Sequence, residues 1–482
     1  MCGIFFSLSR HEYISPDKST VDLLHNRGPD FVKILTAPIE QDEEGGSPLF
    51  NKCLYYGRDC LGRRSLLRKI TADGSLLLSS VCDNASGEGW EEVEADGIYM
   101  LDLDDVDNPF STKHIPHTRM GEDTSSTLSF KLPFPPLNRE DLAAHEPDRQ
   151  MMLDLGESLR RSVALRTQHV REAFEASHTP TDESPEHAAK IAVLFSGGLD
   201  CTILARLCHD LLPPSEDIDL LNVAFENPRI HGNLGPGTSP YELCPDRITG
   251  RASHAELQQV CPGRRWRFVE VNVPYTETVA HRTAVMKLMH PHNTEMDLSI
   301  SYALYFASRG VGLAPSPSFP KNIPQPYTSP AHVLLSGLGA DELFGGYQRH
   351  ATAFSRQGYP GLLDELQLDF ERLGKRNLGR DDRVISNSGR EVRFPFLDED
   401  FIAMTLRLPV QEKCDFGRTE YSPDADGPDG HVVIEPAKRL LRRLAYELGM
   451  KRVAVEKKRA IQFGARTAKM ETGKTKGTHV LT

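Results

Sequence analysis

The chain has 482 residues, of which 39% are hydrophobic and 26% charged, as in globular proteins of about two to four domains. Its formal net charge of −12 argues against a general nucleic-acid-binding protein. No apolar run is long enough to cross a membrane, the first residues lack the pattern of a signal peptide, and the nine cysteines have no regular spacing, so we expect a cytoplasmic protein with free thiols.

The N-terminal segment joins a nucleophile, Cys2, to the apolar run Gly3–Phe6. After removal of the initiator Met, the α-amine of Cys2, with a pKa of about 8, could act as the base for its own thiol. The alternative is a mobile terminus without a chemical role. The apolar run predicts a first strand and Arg27–Asp30 a tight turn. Together these segments resemble the class II glutamine amidotransferase domain, an α+β fold of the N-terminal-nucleophile type, which implies that Cys2 attacks the glutamine amide and releases ammonia.

Two later stretches, Tyr56–Leu67 and Leu76–Val81, resemble late strands of the same domain around a turn. The interval before them is much shorter than in that family, and residues 31–55 contain no recognisable oxyanion hole or clamp for the glutamine α-carboxylate. We therefore expect a truncated domain over residues 2–103 that hydrolyses glutamine poorly, because loss of one oxyanion donor slows such reactions about 100- to 1000-fold. A relic domain and a gene model that lacks an exon both fit this pattern.

Residues 104–150 are rich in Pro, Ser, Thr and charged side chains, which predicts a linker. The remainder, 151–482, is expected to be one α/β domain. Its central stretch, Ile191–Leu207, begins as a continuous apolar run, passes through a Ser-Gly-Gly turn and continues with apolar residues at helical spacing. This change of period predicts a buried strand, a tight turn and a helix.

The predicted turn between this strand and helix has the properties of a phosphate-binding loop. Gly197 and Gly198 permit a sharp turn and the close approach of a ligand. The N–H groups and the dipole of a helix N-terminus favour an anion. Asp200 alone would repel phosphate, but a Mg²⁺ ion between its carboxylate and the phosphates removes that conflict. The plainer alternative is a structural turn with a capping serine.

The complete string from Ser196 to Asp200 resembles the pyrophosphate-releasing loop of enzymes that activate an oxygen as an adenylate, above all asparagine synthetase. The resemblance implies an α/β adenylate-forming domain with a parallel sheet and a helical C-terminus. It implies ATP and Mg²⁺ as cofactors, with aspartate and glutamine or ammonia as substrates. No nucleic-acid or membrane partner is expected, and a homodimer is compatible with the family.

Leu220–Glu226 predicts the second strand of a parallel pair, and ligands of such sheets lie at the carboxyl ends of neighbouring strands. Val223 is therefore a candidate for an adenine pocket, with plain strand core as the alternative. Pro245–Arg251, expected within a long connection, resembles a stretch of the divergent asparagine synthetase domain-containing proteins. The sequence assigns no chemistry to it.

Val333–Tyr347 repeats the earlier design of an apolar strand, a Ser-Gly turn and acidic residues. Two such turns on adjacent strands could face one nucleotide, which makes Asp341 a second Mg²⁺ or pyrophosphate partner; helix capping is the alternative. Further on, Lys438–Leu448 predicts a basic amphipathic helix. The residues expected to bind ATP are Phe195, Ser196, Gly197, Gly198, Leu199, Asp200, Val223, Ser336, Gly337 and Asp341, and the expected metal ligands are Asp200 and Asp341.

Two positions depart from the enzymes of the family. Leu338 stands where they carry a Glu proposed to serve in catalysis, and Ala460 stands where they carry a Lys that stabilises the adenylate and pyrophosphate. Cations at 457–459 lie close to the second position and are candidate replacements. We therefore expect weak asparagine synthetase activity. The alternatives are a catalytically degenerate nucleotide-binding protein with a regulatory or scaffolding role, and an ATP-dependent enzyme with an acceptor less polar than aspartate.

Overall fold

The computed structural model describes residues 3–9, 14–29, 32–35, 53–83, 89–103, 111–119, 128–140, 148–170, 188–315, 323–423, 431–470 and 476–481. Cys2 lies outside these described residues, as does most of the interval 31–55. Within the described ranges, no helix combines the length and apolar character needed to cross a membrane. The chain divides into two compact units: unit 1 comprises residues 1–132, 286–293 and 373–389, and unit 2 comprises residues 133–285, 294–372 and 390–482.

The strands, in chain order, are β1 (Phe5–Leu8), β2 (Cys53–Gly57), β3 (Leu67–Ile70), β4 (Leu76–Ser79), β5 (Glu91–Glu92), β6 (Gly97–Asp102), β7 (Thr112–Thr118), β8 (Phe130–Lys131), β9 (Ile191–Leu194), β10 (Ile218–Phe225), β11 (Trp266–Val273), β12 (Val311–Pro315), β13 (Pro324–Thr328), β14 (Val333–Leu335), β15 (Glu391–Arg393), β16 (Glu420–Pro423) and β17 (His431–Ile434).

The α-helices are α1 (Lys18–Arg27), α2 (Arg149–Thr167), α3 (Leu199–Leu211), α4 (Pro228–His231), α5 (Pro245–Val260), α6 (Tyr275–Ala280), α7 (Arg282–Met289), α8 (Glu295–Arg309), α9 (Ala340–Phe344), α10 (Gln348–Glu371), α11 (Gly379–Ser386), α12 (Glu399–Arg407), α13 (Val410–Lys413), α14 (Arg439–Glu447), α15 (Lys451–Val455) and α16 (Ile461–Gly464). A π-helix, Gly374–Leu378, precedes α11, and a 3₁₀ turn, Pro395–Leu397, follows β15.

Unit 1 is built on two four-stranded sheets, with strand orders β1-β4-β3-β5 and β2-β6-β7-β8. Because side chains alternate along a strand, β4 buries Leu76 and Leu78 on one face and Leu77 on the other. Leu76 and Leu78 share a core with Tyr56 and Leu101 of the second sheet. The first strand begins at Phe5, and β7 and β8 lie within the segment for which the sequence predicted a linker.

The α1 helix of unit 1 begins at a capping Asp17 and ends at Arg27, the first residue of the predicted turn. Arg27 is buried, and its Nη2 lies 2.5 Å from the Asp382 carboxylate. Asp382 also accepts the Ser65 backbone N–H at 2.9 Å and lies 3.0 Å from Arg64. Burial raises the pKa of Asp382, but Arg27 and Arg64 outweigh it and hold that pKa below its ordinary value. Arg27 is therefore a structural residue of this unit.

Unit 2 contains a seven-stranded sheet with the order β13-β12-β11-β10-β9-β14-β15. The five strands β11, β10, β9, β14 and β15 are parallel, and the β12–β13 hairpin adds an antiparallel edge. The chain runs outward from β9 through β10 to β11 and later returns to β14 on the other side of β9. Their carboxyl ends therefore form a topological switch point, where ligands of open α/β sheets bind.

The predicted parallel sheet is confirmed, with small changes of boundary. Every residue of β10 is buried, which explains why six of its eight residues are apolar; Asp219 and Asn222 are the exceptions. The helical C-terminus consists of α14, α15 and α16. Pro245–Arg251 lies, as expected, in the long connection between β10 and β11, where it forms the first turns of α5. Pro245 stands at a position where helices accept proline because no intrahelical N–H is needed.

Candidate functional site

The two Ser-Gly turns follow β9 and β14 in unit 2 and have the same local design. Ser196 Oγ accepts the Gly198 N–H at 3.3 Å, and Ser336 Oγ accepts the Leu338 N–H at 3.3 Å. In each turn a glycine adopts a positive φ, +81° at Gly197 and +100° at Gly339, a conformation that costs other residues steric energy. Each turn leads directly into a helix, α3 or α9.

The first turn rests on α5. A Cβ added to Gly197 would lie 2.4 Å from the Gly250 Cα, so neither residue has room for a side chain at this crossing. The Ser253 hydroxyl donates to the Gly197 carbonyl at 2.6 Å. Gly197 and Gly250 thus allow α5 to pack directly against the first turn, a contact that the sequence did not predict.

A buried polar network fixes the same turn to β10. The Asn222 amide donates to the carbonyls of Phe195 and Asp246, at 2.9 Å each. Arg247 Nε donates to Asn222 Oδ1 at 2.7 Å and Arg247 Nη2 donates to Asn272 Oδ1 at 2.8 Å, with the Arg247 side chain fully buried. A satisfied buried network of this kind rigidifies its surroundings. This explains the motif Pro245–Arg251, which places α5 against the first turn.

Four charged side chains alternate in sign between the two turns. Lys438 Nζ lies 2.5 Å from Asp200 Oδ2 and 2.7 Å from Asp341 Oδ1. Lys458 Nζ lies 2.5 Å from Asp341 Oδ2. We call Asp200, Lys438, Asp341 and Lys458 the charge cluster. It joins residues that the sequence placed at the two turns to two lysines from the C-terminal region.

Lys438 is the most buried member of the charge cluster, with 2% of its surface exposed. Its backbone is left-handed, with φ 57°, and its N–H donates to the Phe344 carbonyl at 2.9 Å. Burial alone lowers the pKa of Lys438, but Asp200 and Asp341 outweigh it and raise that pKa above its ordinary value. Burial raises the pKa of Asp341, and Lys438 and Lys458 reverse this, so the carboxyl stays ionised.

The two carboxylates of the charge cluster suit a Mg²⁺ ion only together with a ligand. In the described part of the chain, no three His, Cys, Asp or Glu side chains converge on one point. Mg²⁺ is commonly held by one or two carboxylates plus substrate phosphates. Asp200 Oδ1 is buried and has no hydrogen-bond partner among the described residues, so it has an acceptor to offer. Asp200 and Asp341 therefore fit a phosphate-bound Mg²⁺.

A cavity of about 70 Å³ opens beside the charge cluster. Its lining residues are Ser196, Gly198, Leu199, Asp200, Asp246, Thr249, Lys438, Arg442, Glu456, Lys457, Lys458 and Arg459. Four predicted ATP-binding residues therefore line the cavity: Ser196, Gly198, Leu199 and Asp200. Asp341 does not line it but forms ion pairs with two residues that do, Lys438 and Lys458. Phe195 and Val223 are buried, 2% and 7% exposed, and are absent from the lining.

Lys438, Asp246 and Thr249 also belong to this site, although the sequence did not predict them as site residues. Lys438 was assigned only to a basic helix. The two largely buried acids Asp200 and Asp341 nevertheless require a cation, and α14 begins directly after Lys438. Of the candidate cations at 457–459, Lys458 reaches Asp341. Ala460 is the N-terminal cap of α16 and carries no charge toward the cavity.

A family profile and several known proteins that are similar to this chain all point to the same family. The profile described as "Asparagine synthase" matches residues 327–365 and 354–477. The chain is 33% identical over 513 residues to asparagine synthetase domain-containing protein 1 of Gallus gallus, covering 88% of this chain and 78% of the relative. The Homo sapiens protein of the same name is 34% identical over 503 residues, covering 87% and 75%. An asparagine synthetase domain-containing protein of Saccharomyces cerevisiae is 35% identical over 439 residues, covering 89% and 71%.

Proposed function

We propose, since the chain belongs to the family of asparagine synthetase domain-containing proteins, that it binds ATP·Mg²⁺ between its two Ser-Gly turns and activates a carboxylate as an adenylate. By family resemblance the acceptor is aspartate, and ammonia then displaces AMP. The observation that carries this proposal is the charge cluster at the carboxyl ends of β9 and β14, where carboxylates and lysines alternate beside the cavity. Phosphates need such cations, and a phosphate-bound metal needs such acids.

In the proposed reaction, an oxygen of the acceptor carboxylate attacks the α-phosphorus of ATP and pyrophosphate leaves. The Ser196 turn and the N-terminus of α3 bind phosphate oxygens through N–H groups. Lys438 and Lys458 offset the charge that collects on the leaving pyrophosphate. Asp200 and Asp341 would hold Mg²⁺, which supplies Lewis-acid charge when bound. Ammonia then attacks the acyl carbon, AMP leaves with the bonding electrons, and one proton is released.

A second function is favoured by two side chains of this chain. Leu338 offers no titratable group beside the second turn, and Ala460 offers no cation. Loss of general acid–base help alone slows a reaction about 100- to 10,000-fold. These residues support the alternative of a catalytically degenerate nucleotide-binding protein with a regulatory or scaffolding role. Mass spectrometry of AMP and pyrophosphate after mixing with ATP·Mg²⁺ and candidate acids distinguishes the two functions.

The test of the binding site is isothermal calorimetry with ATP·Mg²⁺. We expect Asp200→Ala and Asp341→Ala each to weaken affinity about 10- to 100-fold, since each removes charge-assisted contacts to the metal. The loss should vanish when Mg²⁺ is replaced by EDTA. Asp154→Ala, on the exposed side of α2, is the matched control and should bind as the unaltered protein does. Unchanged affinity in both site variants would reject the site.

A separate expectation concerns glutamine. Cys2 lies outside the described residues, and residues 31–55 carry no recognisable oxyanion hole in the sequence. Ammonia release from glutamine should therefore stay close to the background of a Cys2→Ala variant, in an assay coupled to glutamate dehydrogenase. Rapid, Cys2-dependent release would show that the N-terminal region holds a complete glutaminase site.

We also propose that residues 2–103 form the truncated amidotransferase-like domain and 151–482 the synthetase-like domain, with 104–150 between them. Support comes from the sheet β1-β4-β3-β5, which lies within 2–103, and from the seven-stranded sheet of unit 2, which lies within 151–482; β7 and β8 carry the second sheet of unit 1 beyond residue 103. A cytoplasmic location is proposed from the cysteines, since all eight within the described ranges are free thiols. Small molecules are the proposed partners, and a homodimer is compatible with the proposal.

A further inference from the structure

Asp246 is a buried acid in the wall of the cavity. It belongs to the first turn of α5, and only 5% of its surface is exposed. Among the described residues, its carboxylate has no hydrogen bond and no ion pair within 4.0 Å, although its backbone carbonyl accepts from Asn222. Buried carboxylates are normally paired because desolvation of the charge is costly. An unpaired one in a cavity wall indicates that a ligand completes its hydrogen bonds.

The space for this carboxylate is provided by Gly464 at the end of α16. A Cβ on Gly464 would lie 1.9 Å from Asp246 Oδ1 and 2.2 Å from Oδ2, so any side chain there would displace the acid. Desolvation raises the pKa of Asp246 to about 7, against the effect of Arg459 and Lys458. The fold therefore keeps an acid at this position at a cost in stability, which is typical of residues retained for binding.

The position of Asp246 indicates which part of a bound nucleotide would lie beside its carboxylate. The Asn222 side chain donates both to Phe195, directly before the phosphate-binding turn, and to Asp246. Asn222 is followed along β10 by Val223, the candidate for the adenine end. Asp246 thus lies beside the predicted phosphate-binding turn and next to the strand on which the base is predicted to bind. In any nucleotide the group between phosphate and base is the ribose.

The charges around Asp246 favour a neutral donor over an ammonium group. The groups that influence its titration are the cations Arg459, Lys458 and Arg466 and one acid, Glu456. Arg459 Nη1 also donates to the Thr249 hydroxyl at 3.3 Å on the same wall. Together with Asp246 itself, this group contains three cations and two acids, so an incoming ammonium would meet net positive charge. Hydroxyl groups avoid this repulsion and donate to a carboxylate, as a ribose does in dinucleotide-binding folds.

We propose that Asp246 accepts hydrogen bonds from the ribose hydroxyls of the bound nucleotide and makes the site selective for ribonucleotides. This inference rests on the proposed ATP site and assigns to it a residue that determines sugar specificity. Hydrogen bonds to charged groups are the stronger kind, so loss of this pair should weaken binding about 10- to 100-fold.

The experiment measures calorimetric affinity for the Mg²⁺ complexes of ATP, 2′-deoxy-ATP and 2′,3′-dideoxy-ATP. The unaltered protein should bind ATP about 10- to 100-fold more tightly than dideoxy-ATP. In Asp246→Ala this preference should fall to below about threefold, because ATP binding weakens and dideoxy-ATP binding does not. Retained affinity for dideoxy-ATP also shows that the variant is folded. Asp154→Ala should keep the full preference.

Each contrary result has a distinct meaning. If the unaltered protein binds ATP and dideoxy-ATP equally, the ribose assignment is wrong and the ATP site stands. If Asp246→Ala weakens all three nucleotides equally, or keeps the preference for ATP, Asp246 does not contact the ribose and the inference is overturned. If no nucleotide binds the unaltered protein, the proposed function fails together with this inference.

Discussion

Replacement of Lys438 by Met should lower the free energy of unfolding by about 3–5 kcal/mol at pH 7, measured by urea denaturation without nucleotide. The ammonium is 2% exposed and is the shared counterion of Asp200 and Asp341. Because the Met side chain is similar in length to that of Lys and leaves little cavity, the change in stability reports mainly the loss of the positive charge. Removal of one partner leaves the carboxylates as buried like charges, a far larger cost than loss of a surface ion pair.

The loss in Lys438→Met should depend on pH in a defined direction. The folded pKa of Asp341 is lowered from 3.8, so its stabilisation is present above that value and declines as pH falls through the folded pKa. The folded pKa of Lys438 is raised from 10.5, so its contribution is complete below that value and declines above it. The difference between the two proteins should therefore be greatest between these limits and shrink outside them.

Lys451→Met is the matched control, since Lys451 is an exposed residue of α15 whose ammonium lies 5.5 Å from the Tyr446 ring. It should change stability by less than about 0.5 kcal/mol. Millimolar Mg²⁺ should restore part of the stability of Lys438→Met, because the freed carboxylates can bind the ion, and should not affect the control. A loss below about 1 kcal/mol would show that the charge cluster is loosely hydrated rather than buried.

The sequence was sufficient to locate β9, β10 and β14 because strands buried on both faces are mainly apolar along their whole length. It identified the two turns because Ser-Gly strings between such a strand and an amphipathic helix form a short, local pattern. It did not predict the helix α5 or its role, because the polar segment Pro245–Arg251 could only be placed within a long connection. The buried Arg247 of that segment donates to partners on two strands, Asn222 of β10 and Asn272 of β11, and a local sequence pattern does not reveal such partners.

The same limit applies to the site. Asp200 and Asp341 were recognised from local context, whereas Lys438 is separated from Asp200 by 238 positions in the chain. Its role follows from a left-handed backbone at the start of α14 and from the path of the C-terminal region, neither of which has a periodic signal. Asp246 was missed for a related reason. An acid in the first turn of a helix is ordinarily explained by the helix dipole, and only its burial without a partner marks it out.

The position of Lys458 changes the expectation for the synthetase step. The family resemblance assigned the missing cation to Ala460, but Lys458 Nζ lies 2.5 Å from Asp341 and lines the cavity. We therefore expect Lys458→Ala to slow pyrophosphate release from ATP about 100- to 1000-fold, the usual effect of removing one preorganised charge. Lys451→Ala should have no effect. Both variants are tested by measuring the single-turnover formation of AMP and pyrophosphate from ATP·Mg²⁺ and aspartate.

Leu338 then remains the main defect, since its side chain offers no titratable group at the position where the related enzymes carry Glu. Aspartate-dependent AMP formation with free ammonia should be very slow in the unaltered protein, and Leu338→Glu should raise it at least about tenfold by restoring proton transfer. Ala460→Lys should add little to that gain, because Lys458 already supplies the cation. Leu338→Gln, which matches Glu in shape without its proton chemistry, is the control and should remain slow. If Leu338→Glu and Leu338→Gln are equally inactive while Ala460→Lys restores the reaction, then the missing cation is the defect, and Lys458 is only the structural counterion of Asp341.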